Sequence, residues 1–165
     1  MNHLIISCIG PDKSGLVDTL SKIVRENHGN WQVSSLHHLS GFFAGVIEVA
    51  VEQQYSEALT SALKTIPGLS CQIELAEPNI PTVESNLVLD ITANDRAGII
   101  QELSSVIHHN GGNLLKLVSA QDNAPHTGQA IFKAKVKIAL AAHDIDPLIS
   151  ALEDTADDLM VDISR

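Results

Sequence analysis

Aromatic side chains are scarce in this chain: three Phe, one Trp and one Tyr make up 3% of it. Bases are scarce too, with 10 Lys and Arg against 20 Asp and Glu and a formal charge of −10. Binding to nucleic acid needs counter-charge for phosphates and flat rings for bases, and here no basic run is interleaved with aromatics. The chain is therefore not expected to touch nucleic acid directly, and any effect on gene expression should pass through another protein. Only two cysteines occur, Cys8 and Cys71, far apart in sequence, which excludes a disulfide framework and a zinc-knuckle pattern. They are expected to be small buried hydrophobes in strands. Long hydrophobic runs are missing as well, although 44% of the residues are apolar, so no segment should cross a bilayer. Met1-Asn2-His3 leads into Leu4-Ile5-Ile6 with no basic n-region or small-residue cleavage site, and a cytoplasmic location is expected.

Patterns that carry chemistry elsewhere are also absent. There is no G-x-S-x-G, no P-loop, and no H-E-x-x-H or H-x₃₋₅-H among the eight histidines. His37-His38 fall next to each other in a strand, so they should point to opposite faces and not chelate together. No catalytic residue, metal or cofactor is expected.

What the chain does have is a repeat. Gly10-Pro11-Asp12-Lys13-Ser14-Gly15-Leu16-Val17 returns as Ala93-Asn94-Asp95-Arg96-Ala97-Gly98-Ile99-Ile100, with Asp12 and Asp95 83 positions apart. The same offset pairs Leu20 with Leu103, Ser21 with Ser104, Asn27 with Asn110, Gly29 with Gly112 and Asn30 with Asn113. A period this long implies two copies of one folding unit. The expected division is residues 1–77, a linker at 78–85 holding two prolines, and residues 86–165.

Each copy shows the same order of elements. Leu4–Ile9 is an apolar strand, and Leu16, Val17, Leu20, Ile23 and Val24 follow at helical spacing. Asn27-His28-Gly29 stops that helix, with the glycine suited to a left-handed cap. Trp31–Leu39 and Phe42–Val51 read as strands joined by a tight turn at Ser40-Gly41, then Tyr55–Ile66 as a helix and Leu69–Leu75 as a strand. The second copy gives strand Leu87–Ile91, helix Ala97–His109, strands Leu114–Ala120 and Gln129–Ile138 around a polar loop, helix Pro147–Thr155 and strand Leu159–Ile163. Asp144 or Asp146 is expected to cap the last helix, with Pro147 at its first position. The order β-α-β-β-α-β predicts an α+β chain of two ferredoxin-like units, each an antiparallel four-stranded sheet with two helices on one face. The near-continuous apolar run Phe43-Ala44-Gly45-Val46-Ile47 calls for cover on both sides of its sheet, from the other copy or from a second chain, and a homodimer is one expected arrangement.

The duplicated segment lies between a first strand and a first helix. Unpaired amides and the positive end of the helix dipole gather there and suit a carboxylate, while Asp12 or Asp95 could hold an ammonium. The pair suits an amino-acid zwitterion, although an Asp before a helix is most often only its cap. The two segments, each followed by a helix stop and an Asn (Asn27-His28-Gly29-Asn30 and Asn110-Gly111-Gly112-Asn113), resemble the opening of an ACT domain. The whole chain, as two such domains with no catalytic domain, is similar to the glycine cleavage system transcriptional repressor family. That resemblance implies regulation: an amino acid, glycine among the candidates, sensed near the first strand–helix loop, and control of transcription by contact with a DNA-binding regulator. It implies Asp12, Lys13, Ser14, Gly15 and Leu16, with Asp95, Arg96, Ala97, Gly98 and Ile99, as ligand loops, and Asn30 and Asn113 as residues reaching the same pocket. The family's Ile-Glu-Asp-Ser-like start to the second strand is replaced here by Trp31-Gln32-Val33-Ser34 and Leu114-Leu115-Lys116-Leu117. Two other functions fit the same frame: a detached regulatory subunit of a biosynthetic enzyme, and a small enzyme on the ferredoxin-like fold.

Overall fold

A computed structural model describes residues 1–164; Arg165, the last residue of the expected second domain, lies outside the described residues. The chain divides into two compact units, Met1–Ile80 and Pro81–Arg165. The first runs β1 (Asn2–Pro11), α1 (Leu16–Glu26), β2 (Asn30–Leu39), β3 (Phe42–Val51), α2 (Gln53–Lys64) and β4 (Ser70–Leu75). The second runs β5 (Leu87–Asn94), α3 (Ile99–His109), β6 (Asn113–Asn123), β7 (Ala130–Ala139), a short 3₁₀ turn at Ala142–Asp144, α4 (Ile145–Glu153) and β8 (Met160–Ile163). Their sheets have the orders β2-β3-β1-β4 and β6-β7-β5-β8, antiparallel throughout, with the first and third strands of each unit central.

Alternation along the central strands decides which face meets the helices. Leu4, Ile6 and Cys8 of β1 are buried against Leu16, Leu20 and Val24 of α1 and Leu59 and Leu63 of α2. Leu87, Leu89, Ile91 and Ala93 of β5 do the same against Ile99, Leu103 and Ile107 of α3 and Leu148 and Leu152 of α4. Both helices of each unit therefore share one core on one side of its sheet. Burying each such Leu or Ile contributes about 1.5–3 kcal/mol. The other faces differ. Ile9, Val33 and Val46 stand exposed on the first sheet, whereas the second carries Lys116, Lys133, Lys135 and Lys137 beside Asp90.

Several ends depart from the sequence pattern for local reasons. At the close of α1 the left-handed residue is His28 (φ 60°), not Gly29. Gly29 is required by close packing instead, since a Cβ there would lie 2.9 Å from methyls of both Val24 and Val49. In the second unit Gly111 takes the left-handed place (φ 82°), as expected of a glycine cap. Pro147 is the third residue of α4, not the first; the first turn has no intrahelical acceptor to lose, so proline is tolerated there. Asp144 precedes that helix without a side-chain cap bond, and its carboxylate instead lies 3.4 Å from Nε2 of His143. The two-residue turn Ser40-Gly41, with φ of 49° and 84°, has the doubly positive geometry that matches strand twist.

Cys8 and Cys71, distant in sequence, stand directly opposite each other across the β1–β4 pair. Cys8 is buried and donates weakly to the carbonyl of Gly45, while Cys71 is half-buried. Desolvation, with the charge of Cys8 adding to it, pushes the Cys71 thiol up to about 11. Thiolate is the reactive form, so at pH 8 roughly one Cys71 in 1,000 is reactive, against about one in four for an unperturbed thiol. Alkylation of Cys71 by iodoacetamide at pH 8 should be roughly 200-fold slower in the folded chain than in urea. Equal rates in the two states would contradict this burial.

Candidate functional site

The loop after each first strand is built the same way. A glycine in the left-handed region, Gly15 or Gly98 (both φ 84°), opens the following helix without any side-chain cap bond. No heavy atom lies within 4 Å of a Cβ built at either position, so it is the backbone angle that demands glycine. Asp12 is held by its own N–H to the carbonyl of Gly41 (2.9 Å), and Asp95 to that of Ala130 (3.0 Å). Thr19 and Glu102 donate in turn to the carbonyls of Gly15 and Gly98. Among the described residues the amides of Lys13, Ser14 and Gly15, and those of Arg96, Ala97 and Gly98, make no hydrogen bond.

The two aspartates do not cap their helices. Asp12 Oδ2 accepts from Nδ1 of His38, across from it on β2. Asp95 Oδ2 accepts from Nε2 of Gln121 on β6 at 2.5 Å. His38 and Gln121 are again 83 positions apart, so each loop aspartate is tied to the same place on the neighbouring hairpin. Neither aspartate takes up the loop amides of its own unit.

Beside each loop lies a cavity. The first, about 360 Å³, is lined by Asp12, Lys13, Gly15, Leu16, Val17, Asp18, Leu36, His37, His38 and Phe43. The second, about 390 Å³, is lined at matching positions by Asp95, Arg96, Gly98, Ile99, Ile100, Gln101, Ser119, Ala120, Gln121 and Phe132. Nine of the ten positions keep the offset of 83; Phe132 departs from it because the β6–β7 connection is longer than Ser40-Gly41. Each cavity offers an apolar floor, a carboxylate, a base and unpaired amides, which is the donor and acceptor set of a small zwitterion.

The structure thus gathers Asp12, Lys13, Gly15 and Leu16, and Asp95, Arg96, Gly98 and Ile99, around these cavities. Ser14 and Ala97 belong to the same loops but do not line them. Asn30 and Asn113 stand elsewhere. They pair with Ala50 and Ala139 at the opposite ends of their sheets, eight residues along β2 and β6 from His38 and Gln121, or about 26 Å at about 3.3 Å per residue. The residues that sequence reading missed are the hairpin partners Leu36, His38 and Phe43 with Ser119, Gln121 and Phe132. The offset of 83 relates four of them, Leu36 to Ser119 and His38 to Gln121, but unlike residues stand at each pair and carry no signal.

The bases of the two sites differ in their company. Arg96 donates to both oxygens of Glu102, at 2.8 and 2.6 Å. Those bonds, with the charges of Glu102 and Asp158, hold its pKa above the ordinary arginine value. Lys13 has no ion pair among the described residues. Among the described residues no three His, Cys, Asp or Glu side chains gather in a way that could hold a metal ion. No helix among them is long and apolar enough to cross a membrane.

No family model matches the chain. No curated protein matches it either. Solved structures do match over its full length. A protein of unknown function from Galdieria sulphuraria superimposes with a TM-score of 0.82 at 22% identity, covering 99% of this chain and 97% of that one. A protein provisionally described as a glycine cleavage system transcriptional repressor superimposes with a TM-score of 0.67 at 13% identity, over 99% and 96% of the two chains. The chain has the tandem ACT fold: two βαββαβ units, each with its own sheet and helix pair.

Proposed function

We propose that this tandem ACT-fold chain is a non-enzymatic regulator that senses an amino acid at its strand–helix loops and controls transcription by binding a DNA-binding regulator. The observation that carries the sensing is the duplicated cavity, in which a loop aspartate is tied to the neighbouring hairpin and the loop amides make no hydrogen bond among the described residues. A ligand carboxylate would take those amides and the loop base, and its ammonium would take the aspartate. Glycine is the first ligand to test. The structural likeness to a protein provisionally described as a glycine cleavage system repressor supports that choice and the link to glycine cleavage genes. The charge of −10 supports a protein partner over DNA itself. Ligand control would act by favouring one conformation of the regulator over another.

The test is thermal stabilisation by each of the twenty amino acids. At 100 times its Kd a ligand that binds only the folded state contributes about 2.7 kcal/mol, a shift of roughly 10–20 °C for a unit of this size. Asp12→Ala should remove the shift arising from the first cavity and Asp95→Ala that from the second, with both variants still folded. A shift that survives in the double variant would place the ligand elsewhere, and no shift with any amino acid would overturn the sensing role.

A further inference from the structure

The two cavities match in position but not in charge: Asp18 in the lining of the first is Gln101 in the second, and the bases Lys13 and Arg96 differ in their partners. Arg96 is bound through both guanidinium N–H pairs by Glu102, and Asp158 stands near, accepting the N–H of Asn94 at 2.7 Å. In the first unit the place of Glu102 is taken by Thr19, which makes the same backbone bond to its loop glycine. The place of Asp158, one residue before the Leu that leads into the last strand, is taken by Gly68 before Leu69. Neither can neutralise Lys13. The other charged or titratable groups lining the first cavity are Asp12, Asp18, His37 and His38, so it holds a free cation beside two carboxylates.

We infer that the two loop sites are not equivalent: the first takes the ligand's carboxylate on Lys13, while Glu102 occupies Arg96 and closes the second to carboxylate ligands. The inference rests on the sensing role proposed above. A carboxylate entering the second site must displace a partner already held in two charge-assisted hydrogen bonds, whereas in the first it meets an ammonium that neither Asp12 nor Asp18 holds in an ion pair. Glu102 is thus a built-in pseudo-ligand, and the chain binds one amino acid where its symmetry suggests two.

Calorimetric titration decides the matter, with glycine as the first probe and the other nineteen amino acids after it. The unmodified chain should bind one equivalent. Glu102→Thr, which gives α3 the residue that α1 carries, should bind two, and Glu102→Gln should do so more weakly. Thr19→Glu, which gives Lys13 the same kind of partner, should weaken binding at the first site at least tenfold. Both positions are exposed or partly so, and unfolding temperatures of the variants confirm that they fold. Two equivalents in the unmodified chain, or one in both Glu102 variants, would overturn the inequivalence while leaving the sensing role standing. No binding by the unmodified chain or by either Glu102 variant would remove the sensing role and this inference together.

Discussion

Leu63→Ala should split the thermal unfolding of this chain into two transitions. Leu63 is fully buried in α2 among Leu59, Leu20, Ile6 and Ile47, and the core that it joins contains no residue of the second unit. Removing a buried leucine leaves a cavity as well as losing transfer energy, a cost of about 2.7–5 kcal/mol. In a unit of this size each kcal/mol lowers Tm by roughly 4–8 °C, so the first unit should melt about 10–40 °C earlier. The chain provides its own reporter, because its one Trp and one Tyr, Trp31 and Tyr55, both pack on the first core. Trp fluorescence should follow the early transition in Leu63→Ala and stay in place in Leu152→Ala, whose buried side chain belongs to the second core. Calorimetry should show the complementary peak in each case. A single transition that moves equally in both variants would mean that the two cores melt as one.

The parts of this architecture that were legible in the sequence were those set by backbone requirements. Gly15 and Gly98 sit at the same offset because both loops need a positive φ, and Asp12 and Asp95 because both reach across to the neighbouring hairpin. Core leucines and isoleucines on the helices kept their spacing because one face must be buried. The far wall of each cavity was not legible. His38 and Gln121 do the same work with different chemistry, and Leu36 and Ser119 share only a place on their strands. Asn30 and Asn113 misled for the opposite reason. They are alike because both begin a strand after a helix stop, and the length of that strand carries them away from the loop. The pairing of Cys8 with Cys71 depends on the β1–β4 register, which no local pattern encodes. Nor does spacing alone show that Arg96 is occupied, since that needs the direction of the Glu102 side chain.

Gly10→Ala should be nearly as damaging as the core truncation, and in the first unit only. A Cβ at Gly10 would lie 2.2 Å from the carbonyl oxygen of Gly68, 3.2 Å from its carbonyl carbon and 3.3 Å from the Cα of Leu69. These are backbone atoms, so no rotamer change relieves the contact, and the α2–β4 connection or the end of β1 must move by about 1 Å to restore a normal separation. Overpacking of this kind costs about 1–3 kcal/mol, and the upper end applies where backbone has to shift. Trp fluorescence should report a loss of roughly 12–24 °C. The second unit carries the control, because Ala93 occupies the corresponding place, buried, beside a connection whose sequence is Asp157-Asp158 in place of Pro67-Gly68. Ala93→Gly should therefore cost only about 1 kcal/mol, from the lost methyl and the freer strand backbone. The consequence for binding follows from position: Gly10 lies two residues before Asp12, so moving the end of β1 moves the loop that frames the first cavity. Amino-acid stabilisation should weaken in Gly10→Ala and persist in Ala93→Gly. Loss of the ligand response in Ala93→Gly alone would assign the working site to the second unit and reverse the roles of Lys13 and Arg96.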